Sequence, residues 1–244
     1  MKTMMFAKVA LLGALTCFNS LANAGIMLGG TRVLYTEPSK EASILVMNQG
    51  AQDIMIQSWI EPEVKDGAQN VPFVITPALS RLGGNKQQLL RIFYSGEHLP
   101  GDKESLFRLN VQEIPQKSKD DNSLQIAVRQ RLKLFYRPAS LVGKPDEAPQ
   151  QLHWRLVEQS GKAAVEIRNP SAFHVSFASV TLNNGSASYP VSVGMIAPGK
   201  TQVFNVQGLP AGKTVKPTTV EFSSINDYGL SLIHISEPTR PERI

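Results

Sequence analysis

Residues 25–230 are filled by short apolar runs of period two, separated by Gly, Pro, Asn and Asp, with almost no helical period. The pattern predicts strands over 26–35, 43–48, 54–60, 73–76, 87–94, 105–114 and 124–136. Within 54–60, Ile54, Ile56 and Ile60 alternate with Met55, Gln57 and Trp59, so one face is core and the other half-exposed. Gly83-Gly84 reads as a hairpin turn. This strand count over about 110 residues is that of an immunoglobulin-like sandwich. A proline-bearing linker at 138–150 follows, with Pro138, Pro145 and Pro149. Strand-like runs resume at 152–158, 163–168, 174–182, 189–193, 201–206 and 218–223, punctuated at Gly185, Pro198-Gly199 and Pro210-Ala211-Gly212. The expected fold is therefore all-β. One sandwich domain spans 25–137 and a second, smaller one 151–230.

The run at 124–136 is longer than a sandwich needs. Thirteen residues at about 3.3 Å each reach roughly 40 Å, and the mean strand has about 5–6 residues. Its even positions Leu124, Ile126, Val128, Leu132, Leu134 and Tyr136 are apolar, interrupted by Gln130, while its odd positions include Arg129, Arg131 and Lys133. Leu132, Leu134 and Tyr136 suffice for the home core. Leu124, Ile126 and Val128 then stand at or beyond its rim, after the charged loop at 117–122. Two readings follow: a core strand with a ragged top, or a strand offered to a partner by β-augmentation. Lys133, inside an apolar strand, needs a counter-charge or water. Arg32 is a second cation in a similar setting, and two cations converging on one cleft would hold a chain's terminal carboxylate.

The ends read differently. Lys2 and Lys8, an apolar stretch at 9–15 and Ala22-Asn23-Ala24 make a secretory signal peptide, with cleavage expected after Ala24. Cys17 is the single cysteine and lacks the flanks of a lipidation site, so the mature chain has neither disulfide nor thiolate. The C-terminal stretch SLIHISEPTRPERI, 231–244, reads as translated adapter read-through, a tail foreign to the natural sequence. A second domain ending before it is expected to lack its last strand and to expose an edge.

Composition narrows the function. A net charge of +5 is too mild to argue for nucleic acid. His98, His153, His174 and His234 show no metal-ligand spacing, and no nucleophile elbow or phosphate-cradling loop occurs. Glu61-Pro62-Glu63 reads as a solvated pair beside a proline turn. The expectation is a binding protein with no enzyme activity, cofactor or metal.

Four stretches carry a resemblance over 25–230: TRVLY from Thr31, LPGDKESLFRLNVQEIP from Leu99, LQIAVRQRLKLFYRP from Leu124 and INDYG from Ile225. With them the chain resembles the periplasmic chaperones of the chaperone–usher pilus pathway. The short stretch from Pro115 to Leu124 is similar to the short-loop subclass. The resemblance implies two immunoglobulin-like domains in an L or boomerang. Leu124, Ile126 and Val128 would form the strand donated to pilus subunits, both pilins and adhesin. Arg32 and Lys133 would anchor the subunit's C-terminal carboxylate, and Glu104, Arg137 and Asp227 would form an interdomain salt-bridge cluster. It also implies periplasmic localisation and delivery of subunits to an outer-membrane usher. The exposed apolar strand makes a self-capping dimer a further expectation. Arg108 stands where the family usually has an aromatic residue or Thr, and is expected to point outward. The alternative is an exported structural or adhesive fibre component. That class needs an anchor or polymerising extension, and none is expected ahead of the first strand after cleavage.

Overall fold

The computed structural model describes residues 25–63, 71–97, 99–117, 122, 124–184, 187–208 and 219–236. The expected signal peptide at 1–24, the turns at Gly185 and Pro210-Ala211-Gly212, most of the loop at 117–122 and the tail at 237–244 lie outside the described residues. The first domain contains Ile26–Leu28 (β1), Arg32–Thr36 (β2), Ala42–Asn48 (β3), Ile54–Pro62 (β4), Phe73–Thr76 (β5), Leu79–Leu82 (β6), Gln87–Tyr94 (β7), Ser105–Ile114 (β8) and Arg129–Arg137 (β9). They form two sheets, ordered β1-β3-β7-β5 and β2-β9-β8-β4-β6.

Alternation decides which side chains enter the space between the sheets. Phe107, Leu109 and Val111 of β8 and Leu132, Leu134 and Tyr136 of β9 pack with Ile44, Val46, Leu90 and Ile92 of the opposite sheet. Tyr35, Phe73, Tyr94 and Tyr136 add a ring cluster with centroids from 4.6 to 6.2 Å apart. The odd positions of β9 therefore face away from this core.

The second domain contains His153–Gln159 (β10), Lys162–Arg168 (β11), Val175–Asn184 (β12), Ala187–Pro190 (β13), Met195–Ile196 (β14), Thr201–Asn205 (β15), Thr219–Ile225 (β16) and Ser231–Ser236 (β17). Its sheets are ordered β10-β11-β15 and β13-β12-β16-β17, with β14 also paired to β12. Trp154, Ile167, Phe177, Leu182 and Phe222 lie in its core. Between the domains, Pro145–Gln151 form a 3-10 helix whose Ala148 is buried in the second core.

Several expectations need correction. The strand predicted over 26–35 is two strands. β1 pairs with β3 and β2 pairs in parallel with β9, so the chain changes sheets at Gly29-Gly30. Gly29 donates its N–H to Leu45 O at 2.8 Å, and a Cβ there would lie 3.3 Å from Leu45 Cβ. An unbroken alternation carries no sign of such a switch. Gly83-Gly84 is a turn but joins no hairpin, because β6 pairs with β4 and β7 with β3 and β5. Gly84 donates to Asp53 Oδ1 at 3.1 Å, and a Cβ there would fall 2.0 Å from Ala51 O. Nor does the second domain lack its last strand. β17 pairs with β16 from Ile225↔Ser231 to Val220↔Ser236. Finally, the strand predicted over 124–136 begins only at Arg129. The ladder with β8 ends at Gln112↔Arg129, and β2 reaches no further back than Lys133. Ahead of the strand, 124–128 keeps one backbone bond to β8, from Glu113 N–H to Val128 O at 2.9 Å, and has no strand beside it on the β2 side among the described residues.

Candidate functional site in the interdomain cleft

β9 brings the candidate residues together. Its register with β2 sets Arg32 beside Lys133, on the sheet face away from the core. Both reach the second domain. Arg32 Nη1 donates to Ile225 O at 3.1 Å, and Lys133 Nζ donates to Ser176 Oγ at 2.7 Å. The Arg32 guanidinium also lies 6.0 Å from the Phe135 ring centroid, and its Nε is buried without a hydrogen-bond partner. Desolvation and a neighbouring cation each lower a basic group's affinity for protons. Burial first, then repulsion from Arg32 and Arg108, lowers the Lys133 pKa to about 8, with Glu63 pulling the other way. Arg32 is also lowered, by burial foremost and by Arg137, against the pull of Asp227 and Glu104. Such a pair can hold an anion, and Arg32 Nε is a donor without an acceptor among the described residues.

At the foot of β9, Arg137 spans the domains. Its Nε donates to Glu104 Oε2 at 2.6 Å, and Nη1 and Nη2 donate to the two Asp227 oxygens at 2.6 and 2.7 Å. Glu104 also accepts from the His174 N–H at 3.0 Å and lies 2.7 Å from His174 Nδ1. Burial alone would lower the Arg137 pKa, but the bonds and charges of Asp227 and Glu104 outweigh it and the net shift is upward. Asp227 is aimed by the β16–β17 hairpin. Asn226 Oδ1 accepts the N–H groups of Tyr228 and Leu230 at 3.1 and 2.9 Å. Gly229 has φ +80°, and a Cβ there would fall 2.6 Å from Thr31 Oγ1, so the hairpin sits directly on the residue before Arg32.

At the other end of β9, Leu124, Ile126 and Val128 are 87%, 68% and 46% exposed. The ladder edge that β2 covers from Lys133 onward has no strand partner from Leu132 back to Arg129 among the described residues.

Arg108 lies opposite Lys133 on β8, on the outward face of the sheet as expected, but it is not free there: its side chain is 17% exposed and its guanidinium is paired with Glu63. The pairing of residues 45 positions apart left no sign in the sequence. Ser176 and His174 were missed as well. Nothing local distinguishes a serine or a histidine in a strand of the second domain, since their partners Lys133 and Glu104 are in the first.

Residues 25–142 match the family model for the pili and flagellar-assembly chaperone, PapD N-terminal domain. Residues 147–234 match that for the pili assembly chaperone PapD, C-terminal domain. The chain is 38% identical over 225 residues to the probable fimbrial chaperone YadV of Escherichia coli K12, covering 88% of this chain and 91% of that one. It is 41% identical over 224 residues to chaperone protein LpfB of Salmonella typhimurium LT2, covering 90% and 91%. The crystal structure of the YadV chaperone aligns with a TM-score of 0.77 at 36% identity, over 88% of this chain and 100% of that one. The SafB chaperone, solved in complex with the SafA pilin of Salmonella enterica, aligns with a TM-score of 0.72 at 27% identity, over 87% and 95%.

Proposed function

The chain belongs to the PapD family of pili assembly chaperones, and from that premise we propose that it folds and caps pilus subunits by lending them a strand. The reading includes export to the periplasm after cleavage at Ala24, and delivery of the subunit to an outer-membrane usher. Subunits here means pilins and adhesin alike. The family acts by binding, so no bond is made or broken.

The observation that carries the proposal is the exposed apolar row Leu124, Ile126 and Val128, at the head of the strand that bears Lys133. A subunit with an open groove supplies the edge that 124–128 lacks. Burying these three side chains contributes roughly 4–9 kcal/mol as an upper bound, and the ladder hydrogen bonds add to it. The direction of the bound chain follows from β2. That strand runs parallel to β9 and starts at Arg32. A chain whose terminal carboxylate lies between Arg32 and Lys133 continues the line of β2 backwards, and so runs parallel to β9 along its free edge. The carboxylate supplies the acceptor that Arg32 Nε lacks and offsets the repulsion at Lys133. Glu104, Arg137 and Asp227 hold the two domains so that this cleft keeps its shape. The same exposed row gives two free copies a way to cap one another.

A fibre component, the other reading, uses neither a cationic cleft nor an unpaired strand beside it. The test is co-purification from the periplasm of the source bacterium, wild type beside Lys133→Ala. A pilin-like polypeptide is expected with the wild type at one-to-one stoichiometry and absent from the variant. Folded wild-type protein eluting alone sinks the proposal.

A further inference from the structure

Both cations of the cleft belong to the first domain, yet each donates to an oxygen of the second: Arg32 to Ile225 O and Lys133 to Ser176 Oγ. Building on the carboxylate-anchor reading, we propose that Ser176 is a positioning residue of that anchor, holding the Lys133 ammonium beside Arg32 while the cleft is empty.

A lysine side chain is long, and its ammonium is free to swing toward water. Here the pull to swing away is strong. The groups that face it are Arg32 of β2 and Arg108 of β8, both repelling, and Glu63, which is already paired with Arg108. Ser176 opposes that pull from a fixed place. It is 3% exposed, and its backbone is set by the β12–β14 pairing, Val175↔Ile196 and Ser176↔Met195. A serine oxygen that accepts from an ammonium keeps its own proton to donate. Ser176 and Arg32 line the same interdomain cavity, together with Phe135 and Ile225. That leaves the ammonium with two donors, the guanidinium with Nε, and the serine with its O–H. The second domain, which donates no strand, thereby sets how well the first domain captures a chain end.

The test uses the mature chain as wild type, Ser176→Ala and Ser176→Thr. The Lys133 titration is read by NMR of the ε-carbon. Binding is read with a ten-residue peptide of alternating apolar residues, as free acid and as C-terminal amide. In Ser176→Ala the Lys133 midpoint is expected to drop further below about 8, because an acceptor for the charged form is gone. Free-acid affinity is expected to fall about 5- to 10-fold, the weight of one hydrogen bond. The amide is expected to bind weakly and alike to all three proteins, and Ser176→Thr to restore both readouts. An unchanged Lys133 midpoint and unchanged free-acid affinity in Ser176→Ala overturn the positioning role and leave the anchor intact. Equal binding of acid and amide by the wild type overturns the anchor itself, and Ser176 with it.

Discussion

Two apolar segments at sheet edges have similar exposure and opposite fates. Ile233 and Ile235 of β17 are 72% and 73% exposed, and Ile126 is 68% exposed. Yet β17 is paired with β16 along its whole length, whereas 124–128 keeps one backbone bond to the neighbouring strand, Glu113 N–H to Val128 O at 2.9 Å. The difference lies in what stands beside each segment. β16 offers β17 an edge along all six residues, while β8 extends only two residues past Gln112, to Ile114, and β2 does not begin until Arg32. A strand is a property of a segment together with a free edge, and alternation alone supplies only the segment.

The largest effect is expected where both regions are tied down. Arg137 stands at the foot of β9 and holds the β16–β17 hairpin through Asp227. Arg137→Ala leaves Glu104, whose side chain is 1% exposed, without its guanidinium. Breaking a buried pair in this way costs about 3–5 kcal/mol, to be read by urea unfolding. A loss below about 1 kcal/mol, the range of surface pairs, would show that the cluster does not fix the domains.

Truncation after Leu230 removes β17 and its six paired residues. The expected loss, about 2–4 kcal/mol, is that of a few net hydrogen bonds. It should be confined to the second domain and visible in Trp154 fluorescence in a Trp59→Phe background, since Trp154 packs 4.8 Å from the Phe222 ring of β16. An unmoved Trp154 transition would put β17 on a level with 124–128, and the contrast would vanish.

Lys133→Met is expected to stabilise the free protein at neutral pH by about 1–2 kcal/mol, because it removes a poorly compensated buried charge, while abolishing subunit capture. The pH dependence follows from linkage. The unfolded chain keeps the Lys133 proton up to about 10.5, and the folded chain releases it near 8. Between those values the unfolded state binds more protons, so this residue makes stability rise with pH. The slope is expected in the wild type and absent in Lys133→Met; a variant that keeps it places the titration elsewhere.

Ile126→Asp is expected to change stability least, within about 0.5 kcal/mol as for exposed sites, and yet to prevent co-purification of a subunit. A loss of 2 kcal/mol would mean that 124–128 packs on its own domain after all.

Much of this was legible in the sequence. Alternation separated Leu132, Leu134 and Tyr136 from Arg131 and Lys133, and the two faces of β9 follow that division. The motifs around Glu104, Arg137 and Asp227 named three residues that the structure brings within hydrogen-bond distance. What escaped depended on edges and on distant partners. The break at Gly29-Gly30 was hidden because both sheets accept the same alternation. β17 was hidden because 231–244 was read as a tail foreign to the natural sequence, so the apolar Leu232, Ile233 and Ile235 were set aside with it. The partner of Arg108 was missed because Glu63 lies 45 positions away, and Ser176 passed unnoticed because a single hydroxyl has no pattern.

The switch between β1 and β2 has a mechanical consequence. One short length of chain is stitched into both sheets of the first domain, on either side of Gly29-Gly30. Tension applied at Arg32 is shared between two seams: the β2–β9 ladder in one sheet, and the β1–β3 ladder with the Gly29-to-Leu45 bond in the other. A pull on Arg32 therefore loads both sheets, and not the β2–β9 ladder alone.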